Sequence, residues 1–488
     1  MNIHLILQMA AEAMGDREAI TAGDQRFTYA DLAQATRQVA AKLNHGQRLA
    51  YLAENHTAMA AGIFGAALAG TSFVPVSYRL AEEQIEALMK RITPALLITD
   101  SEKEYPEIDR ISRADAMIGD ALEGEAPDVD GEVAIELFTS GTTGEPKSAI
   151  LRHSNLMAYI LGSVEFMSAG EEEASLITVP PYHIAGISAV LSSTYAGRRM
   201  VQLPNFSPPG WIDLAQKEAV THAFVVPTML QHIVEHVGQN GGALELPKLR
   251  ALSYGGGKMP LPVIEKAMGL LPHVDFTNAY GLTETSSTIC LLGPESHRDA
   301  IKSNDPLVRR RLGSVGQALP TVELQIRTED GAACKADEVG LVHVRGDQVS
   351  GEYKGAGSQL DADGWFPTKD VGFVDGEGYL FLDGRADDVI VRGGENISPG
   401  EVEDVLLGHP CVKDVAVVSI PSEEWGETVG AAIVCKGSAP DKNELCELVR
   451  GKLRSSRVPS QIIFMDELPY SETGKLLRRV VRDHLAQV

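Results

Sequence analysis

At 488 residues the chain is too long for one compact core, so two or more domains are expected. Its 44% hydrophobic and 23% charged content is ordinary for a soluble globular protein, and a formal net charge of −24 argues against nucleic acid or an anionic membrane surface as the main partner. The five cysteines (Cys290, Cys334, Cys411, Cys435, Cys446) are scattered and form no CxxC, which speaks against a disulfide framework or a zinc site and for a reduced, cytoplasmic compartment.

Met1 to Ala13 lacks the basic start of a signal peptide. Phe27-Thr28-Tyr29 followed by Ala30-Asp31-Leu32 predicts a helix capped by Thr28. It would run to about Leu43, with Leu32, Ala35, Val39 and Leu43 on one face. Gln47 to Leu52 reads as a short strand. Ala58 to Val76 carries no charge, but its alanines and glycines give too little transfer energy for a membrane span. The stretch reads instead as a buried helix, Thr57 to Ala69, a turn at Gly70 and a buried strand, Ser72 to Val76. An amphipathic helix, Glu82 to Lys90, and a strand, Ala95 to Thr99, follow. This alternation predicts a layered α/β domain with largely buried sheets. Residues 101 to 130 are acidic and read as irregular surface.

The apolar run Val133 to Phe138 leads into Thr139-Ser140-Gly141-Thr142-Thr143-Gly144-Glu145-Pro146-Lys147 and returns to apolar Ala149-Ile150-Leu151. That is a strand, a loop and a second strand. Gly141 and Gly144 let the backbone turn its N–H groups inward. Thr139, Ser140, Thr142 and Thr143 add hydroxyls, and Lys147 adds a point charge. Together they make a cradle for polyphosphate oxygens. The Walker A spacing is absent. An exposed Ser/Thr/Gly linker would have the same composition.

Beyond the loop, Asn155 to Phe166 reads as helix. Ser175 to Val179 is a strand that ends in Pro180-Pro181, with His183 just beyond; a lone histidine there is ordinarily a core or helix-start residue. Met200 to Leu203 and Ala223 to Val226 are further strands, and Pro227 to His236 is a helix opened by its proline. Leu249 to Lys258 is a strand running into Gly255-Gly256-Gly257, which permits close backbone approach to a flat ligand. In Phe276 to Thr285, Tyr280 can stack on a base, Thr283 can bond a phosphate and Glu284 can hold Mg²⁺. Residues 313 to 383 are glycine-punctuated short strands, a small β-rich subdomain. Gly393-Gly394-Glu395 and the helix Ser398 to Leu407 mark a domain boundary. The last hundred or so residues alternate helix and strand as a small α+β domain and carry Lys475 on a Thr-Gly turn, where a solvated surface lysine would look no different.

Five of these segments, in this order, resemble the motifs of the adenylate-forming superfamily, in particular its acyl-CoA synthetases. They are 137–149, 249–258, 276–285, 363–372 and 382–403, with Lys475 following, and the resemblance covers nearly the whole chain. It implies a large N-terminal adenylation domain, residues 1–386, of stacked α/β layers with a β-rich subdomain. A small mobile lid, residues 387–488, would be joined at the hinge Asp387. It implies ATP, Mg²⁺ and coenzyme A as ligands, and it leaves a homodimer open. The adenine and metal motifs would be Gly255, Gly256, Gly257, Asn278, Tyr280, Gly281, Thr283 and Glu284. Asp370 would accept from both ribose hydroxyls, although Lys369 stands where glycine is usual. Arg385 would contact ribose or phosphate. Gly393, Gly394 and Glu395 would line the pantetheine channel, with Trp425, Arg457, Arg478 and Arg479 as further CoA contacts. His183 would separate the acyl pocket, walled by Val226, Thr228 and Met229, from that channel. Lys475 would be the adenylation lysine.

The chemistry this implies follows from charge. A carboxylate and the ATP α-phosphate repel each other, and Mg²⁺ on Glu284, the 139–147 cradle and Lys475 would neutralise the developing pyrophosphate. The lid would then turn about Asp387, and the CoA thiol would take the acyl group from acyl-AMP. The pocket segments show no basic residue for a second carboxylate and no Asp for an amino group. A hydrophobic acid is therefore expected: a medium- or long-chain fatty acid, an aryl acid or a bulky ring-bearing one. An enzyme loading a carrier protein shares the first half-reaction, but the short stretch after Lys475 leaves no room for a fused carrier. Nothing in the sequence indicates a luciferase-like oxygenase, and the intact Lys147, Glu284, Asp370, Arg385 and Lys475 argue against a nucleotide-binding protein with a degraded site.

Overall fold

The computed structural model describes residues 1–129, 131–139, 146–470 and 476–486. Ser140 to Glu145 of the expected phosphate cradle and Lys475 lie outside the described residues. The chain divides into two compact units. The first comprises Met1–Glu323 and Val344–Phe366, and the second Leu324–His343 and Pro367–Val488.

Two sheets build the first unit, with the layered α/β plan expected from the strand–helix alternation. Among the described residues one has nine strands. Its order is Gln317–Ala318, Ser287–Leu292, Asp275–Leu282, Ala251–Gly255, His222–Val225, Ala174–Ile177, Arg199–Gln202, Glu18–Ala22 and Gln25–Thr28. The other has eight and runs from Gly357–Ser358 through Glu352–Tyr353, Lys147–Arg152 and Val133–Thr139 to Ile108–Ile111. Ile108–Ile111 and the short helix Arg113–Ala116 give structure to part of a stretch read as irregular.

Thr57–Leu68 packs between the sheets and is buried along its whole length, which is why its sequence is apolar all round rather than amphipathic. Gly65 allows close approach to Val39 of the neighbouring helix, Tyr29–Ala41. That helix starts as its sequence predicts. The Thr28 hydroxyl accepts from Asp31 N–H at 3.1 Å, and the Asp31 carboxylate accepts from Thr28 N–H at 2.9 Å. No helix among the described residues is long and apolar enough to cross a membrane.

Buried histidines, His297 and His4 among them, make this unit sensitive to acid. His297 Nδ1 donates to Gly293 O at 2.9 Å, and Nε2 accepts from the Tyr254 hydroxyl at 2.8 Å, so the ring is satisfied while neutral. Burial lowers its pKa to about 4. Burial, and then the charge of Arg37, lowers that of His4 to about 4 as well. Below pH 6.5 the unfolded chain takes up these protons and the folded chain does not. The stability contribution is therefore complete above pH 6.5 and is lost as pH falls toward 4, at about 1.4 kcal/mol per histidine per pH unit. Urea midpoints are expected to drop clearly between pH 7 and pH 5. Equal midpoints would show that these rings titrate alike in both states.

A four-stranded sheet in the order Glu323–Arg327, Gly340–Arg345, Phe366–Val374, Leu380–Arg385 falls largely in the second unit, its last two strands antiparallel. A five-stranded sheet follows. Its long pair Val412–Ser422 and Gly426–Cys435 packs on the helices Pro399–Leu407, Lys442–Arg450 and Arg478–Leu485. This is the small α+β piece expected at the C-terminal end.

Candidate nucleotide and acyl site

In the first unit, strands Ala251–Gly255 and Asp275–Leu282 run parallel, with Gly255 opposite Ala279. A Cβ on Gly255 would sit 2.1 Å from Ala279 O, so only glycine fits at this strand end. Gly256 follows at φ +83°. The Asn278 amide donates to Ser314 O at 3.0 Å, which ties the strand end down.

Asp275–Leu282 leads into the 3-10 turn Thr283–Thr285 and returns antiparallel as Ser287–Leu292. The reversal is tight: Ser286 and Ser287 take φ of +54° and +114°. A Cβ on Gly281 would meet Ser287 O at 1.8 Å. Gly281→Ala is therefore expected to force the two backbones apart, at about 3 kcal/mol, and to displace the turn that carries Glu284. Urea unfolding and ATP–pyrophosphate exchange on the same preparation check this; an alanine variant of parental stability would contradict it.

Glu284 is only 8% exposed. Its carbonyl accepts from Ser350 N at 2.9 Å and Gly351 N at 3.0 Å, and its carboxylate accepts from the Tyr353 hydroxyl. Lys147 opens the strand Lys147–Arg152, with its ammonium 5.6 Å from the centre of the Tyr353 ring. The structure thus brings the lysine and the carboxylate of two separate sequence motifs onto one tyrosine. A single held carboxylate beside threonine hydroxyls suits Mg²⁺, a hard cation that keeps several waters and is completed by substrate phosphates. No group of three or more His, Cys, Asp or Glu side chains that could hold a metal ion occurs among the described residues.

His183 is the residue before the helix Ile184–Ala196 and packs edge-on against Tyr182 at 4.5 Å; Tyr182 in turn packs against Tyr78 at 5.6 Å. Its Nε2 is enclosed and has no hydrogen-bond partner among the described residues. Burial, and then the charge of Arg79, lowers its pKa to about 3, so the ring is neutral at working pH. Val226 is buried, and Thr228 and Met229 are partly exposed at the start of Pro227–Gln239. Tyr78, Arg79, Tyr182 and Tyr353 carry no motif signal in the sequence; only the packing shows them.

In the second unit Asp370 and Arg385 face each other across paired strands, joined at 3.1 Å. Lys369 has φ +64°, a left-handed conformation in which glycine is at ease and lysine is strained. Asp387 lies in the short turn Ala386–Asp388. Further on, Gly393 packs under Trp425, where a Cβ would approach the indole to 2.7 Å, and Arg392 lies 5.6 Å from the Trp425 ring centre. Gly394 follows at φ +84°. Glu395 pairs with Arg457, which also reaches Glu401 at 3.3 Å. Gly393, Trp425, Glu395 and Arg457 therefore form one patch. Arg478 is turned inward onto Glu403 and Val417 O, because a guanidinium is best placed where several acceptors converge.

Residues 7–354 match the sequence model of the AMP-binding enzyme family, and residues 401–475 that of the AMP-binding enzyme C-terminal domain. The chain belongs to the AMP-binding enzyme family. It is an adenylate-forming acid–thiol ligase by class. Among curated relatives of this AMP-binding enzyme, a 2-succinylbenzoate–CoA ligase of Bacillus cereus is 31% identical over 478 residues, covering 96% of this chain and 95% of its own. Among solved structures, the o-succinylbenzoate CoA synthetase of Bacillus subtilis, in complex with the acyl-adenylate intermediate OSB-AMP, superimposes with a TM-score of 0.85 at 29% identity, covering 98% of each chain. The Mycobacterium tuberculosis fatty acyl CoA synthetase gives a TM-score of 0.75 at 25% identity, covering 100% of this chain and 98% of its own.

Proposed function

We propose that this AMP-binding enzyme is an ATP-dependent CoA ligase for a bulky, ring-bearing carboxylic acid of the 2-succinylbenzoate type. The acid attacks the ATP α-phosphate, pyrophosphate leaves, and the CoA thiol then displaces AMP from the acyl-adenylate. The observation that carries this reading is the near full-length relationship, at 31% identity, to a 2-succinylbenzoate–CoA ligase.

The residues in hand support the roles. Within the first unit, backbone at Gly255–Gly257 and the Tyr280 ring receive the adenine, and Lys147 and Thr283 bind phosphate oxygens. Within the second unit, Asp370 beside Arg385 is a carboxylate suited to a sugar diol. Glu284 would hold Mg²⁺, which when bound would offset the charge on the phosphates. The Gly393–Trp425 patch receives CoA. Neutral His183, edge-on to Tyr182, offers an uncharged wall to the acyl group and stores no proton for the reaction. The ring of such an acid finds apolar contact at Val226 and Met229, while its second carboxylate departs from the expectation of a pocket without a cation. Arg79, which the sequence motifs do not single out, supplies positive charge near His183.

The deciding experiment is a panel of acids (2-succinylbenzoate, benzoate, decanoate, palmitate, malonate), each assayed for pyrophosphate exchange and for thioester formation with CoA. The expected result is highest kcat/KM for 2-succinylbenzoate. Higher kcat/KM for decanoate or palmitate would replace this reading with the fatty-acid one, which the apolar pocket segments also accommodate. Adenylate formation without CoA thioester would point to a carrier-protein acceptor.

A further inference from the structure

The segment Ser350–Lys354 belongs to no motif singled out in the sequence, yet it stitches two of them together. On one side, Ser350 N–H, Gly351 N–H and the Ser350 hydroxyl all donate to the Glu284 carbonyl, at 2.9, 3.0 and 3.2 Å. On the other, Glu352–Tyr353 pairs antiparallel with Lys147–Arg152, placing Tyr353 opposite Ala149. Both flanks of Tyr353 are pinned. Glu352 takes Arg152 at 2.9 Å, Lys354 N–H donates to Ser148 O at 2.9 Å, and the Lys354 ammonium reaches the buried Glu136 at 2.8 Å. Gly351, at φ +52°, makes the turn that this route requires, and a side chain there would collide with Phe366 and Leu360.

Tyr353 therefore has little freedom. Its hydroxyl donates to one Glu284 carboxylate oxygen, and its ring face lies 5.6 Å from the Lys147 ammonium. A hydroxyl donating to one oxygen of a carboxylate fixes the carboxyl plane and leaves the remaining lone pairs for a cation. Groups in this outer position commonly set metal affinity by about 10–100-fold. An ammonium over a phenol ring is held by the ring quadrupole without losing its charge.

We propose that Tyr353 is the positioning residue for the metal–phosphate half of the reaction: its hydroxyl aims the Glu284 carboxylate at a divalent cation, and its ring steadies Lys147 for the ATP phosphates. Tyr353 touches neither ligand; it acts through the other two side chains. This inference rests on the proposed roles of Glu284 and Lys147.

Isothermal titration of the full chain with ATP, with and without Mg²⁺, tests it apart from turnover. Tyr353→Phe keeps the ring and loses the hydroxyl; Tyr353→Leu loses both. Tyr353→Phe is expected to weaken MgATP binding about 10-fold and to leave metal-free ATP binding unchanged. The Mg²⁺ activation curve of pyrophosphate exchange should move to higher concentration by the same factor. Tyr353→Leu should also weaken metal-free ATP binding, through Lys147. A merely structural tyrosine would lower the melting temperature of both variants and leave the Mg²⁺ dependence where it was. If Glu284→Gln abolishes the Mg²⁺ effect and Tyr353→Phe leaves it at the parental value, the positioning role is wrong and the metal role of Glu284 stands. If Glu284→Gln itself keeps the parental Mg²⁺ dependence, the metal role is wrong and the positioning role goes with it.

Discussion

Glu284→Gln is expected to lower ATP–pyrophosphate exchange by about 10²–10³-fold while the protein stays folded. The substitution changes charge and almost nothing else. The backbone carbonyl of residue 284 still accepts from Ser350 and Gly351, and an amide oxygen can still accept from the Tyr353 hydroxyl. What is lost is the negative charge that holds a divalent cation beside the phosphates. Because the side chain is almost enclosed, water replaces that charge poorly. The loss should appear in the exchange reaction with every acid, since it precedes any choice of acid. Exchange at the parental rate, with a parental melting temperature, would remove Glu284 from the chemistry.

Lys475→Ala should divide the reaction in two. Acyl-AMP formation is expected to fall by at least about 10²-fold, the scale of losing one donor to a charge that builds in the transition state. Thioester formation from supplied acyl-AMP and CoA should stay within a few-fold of the parent, because that step expels AMP and builds no pyrophosphate charge. The contrast between half-reactions matters more than either number. A variant that slows both equally would point to a general loss of folding or binding. One that slows neither would show that another group neutralises the leaving pyrophosphate.

Much of the molecule was legible in the order of its residues. The Thr28 cap with Asp31, the buried helix beginning at Thr57 and the strand ends at Gly255 and Leu282 all depend on neighbours within a few positions. Local hydrogen bonds and backbone preference decide such features. Boundaries were read less well where long-range packing sets them. The helix after the hairpin stops at Ser163 rather than Phe166, since Val164 turns extended and Phe166 packs against Tyr195. The helix Ile184–Ala196 escaped sequence reading because, buried on most sides, it has no amphipathic period to detect.

The site divides in the same way. The order of the chain alone determined which chemical groups this protein owns: a hydroxyl- and glycine-rich loop ending at Lys147, a lone carboxylate after Tyr280, Asp370 among short strands, Arg385 just beyond them, and a lysine near the C-terminus. Their content and sequence were enough to name the family, because motif chemistry is written in consecutive residues. Only the tertiary structure decided which groups meet. Asp370 faces Arg385 because of strand register, and Tyr353 reaches Glu284 across 69 positions because a short strand pairs with the one that Lys147 opens. Pairings of that kind are set by register and packing between distant segments, and no local pattern encodes them.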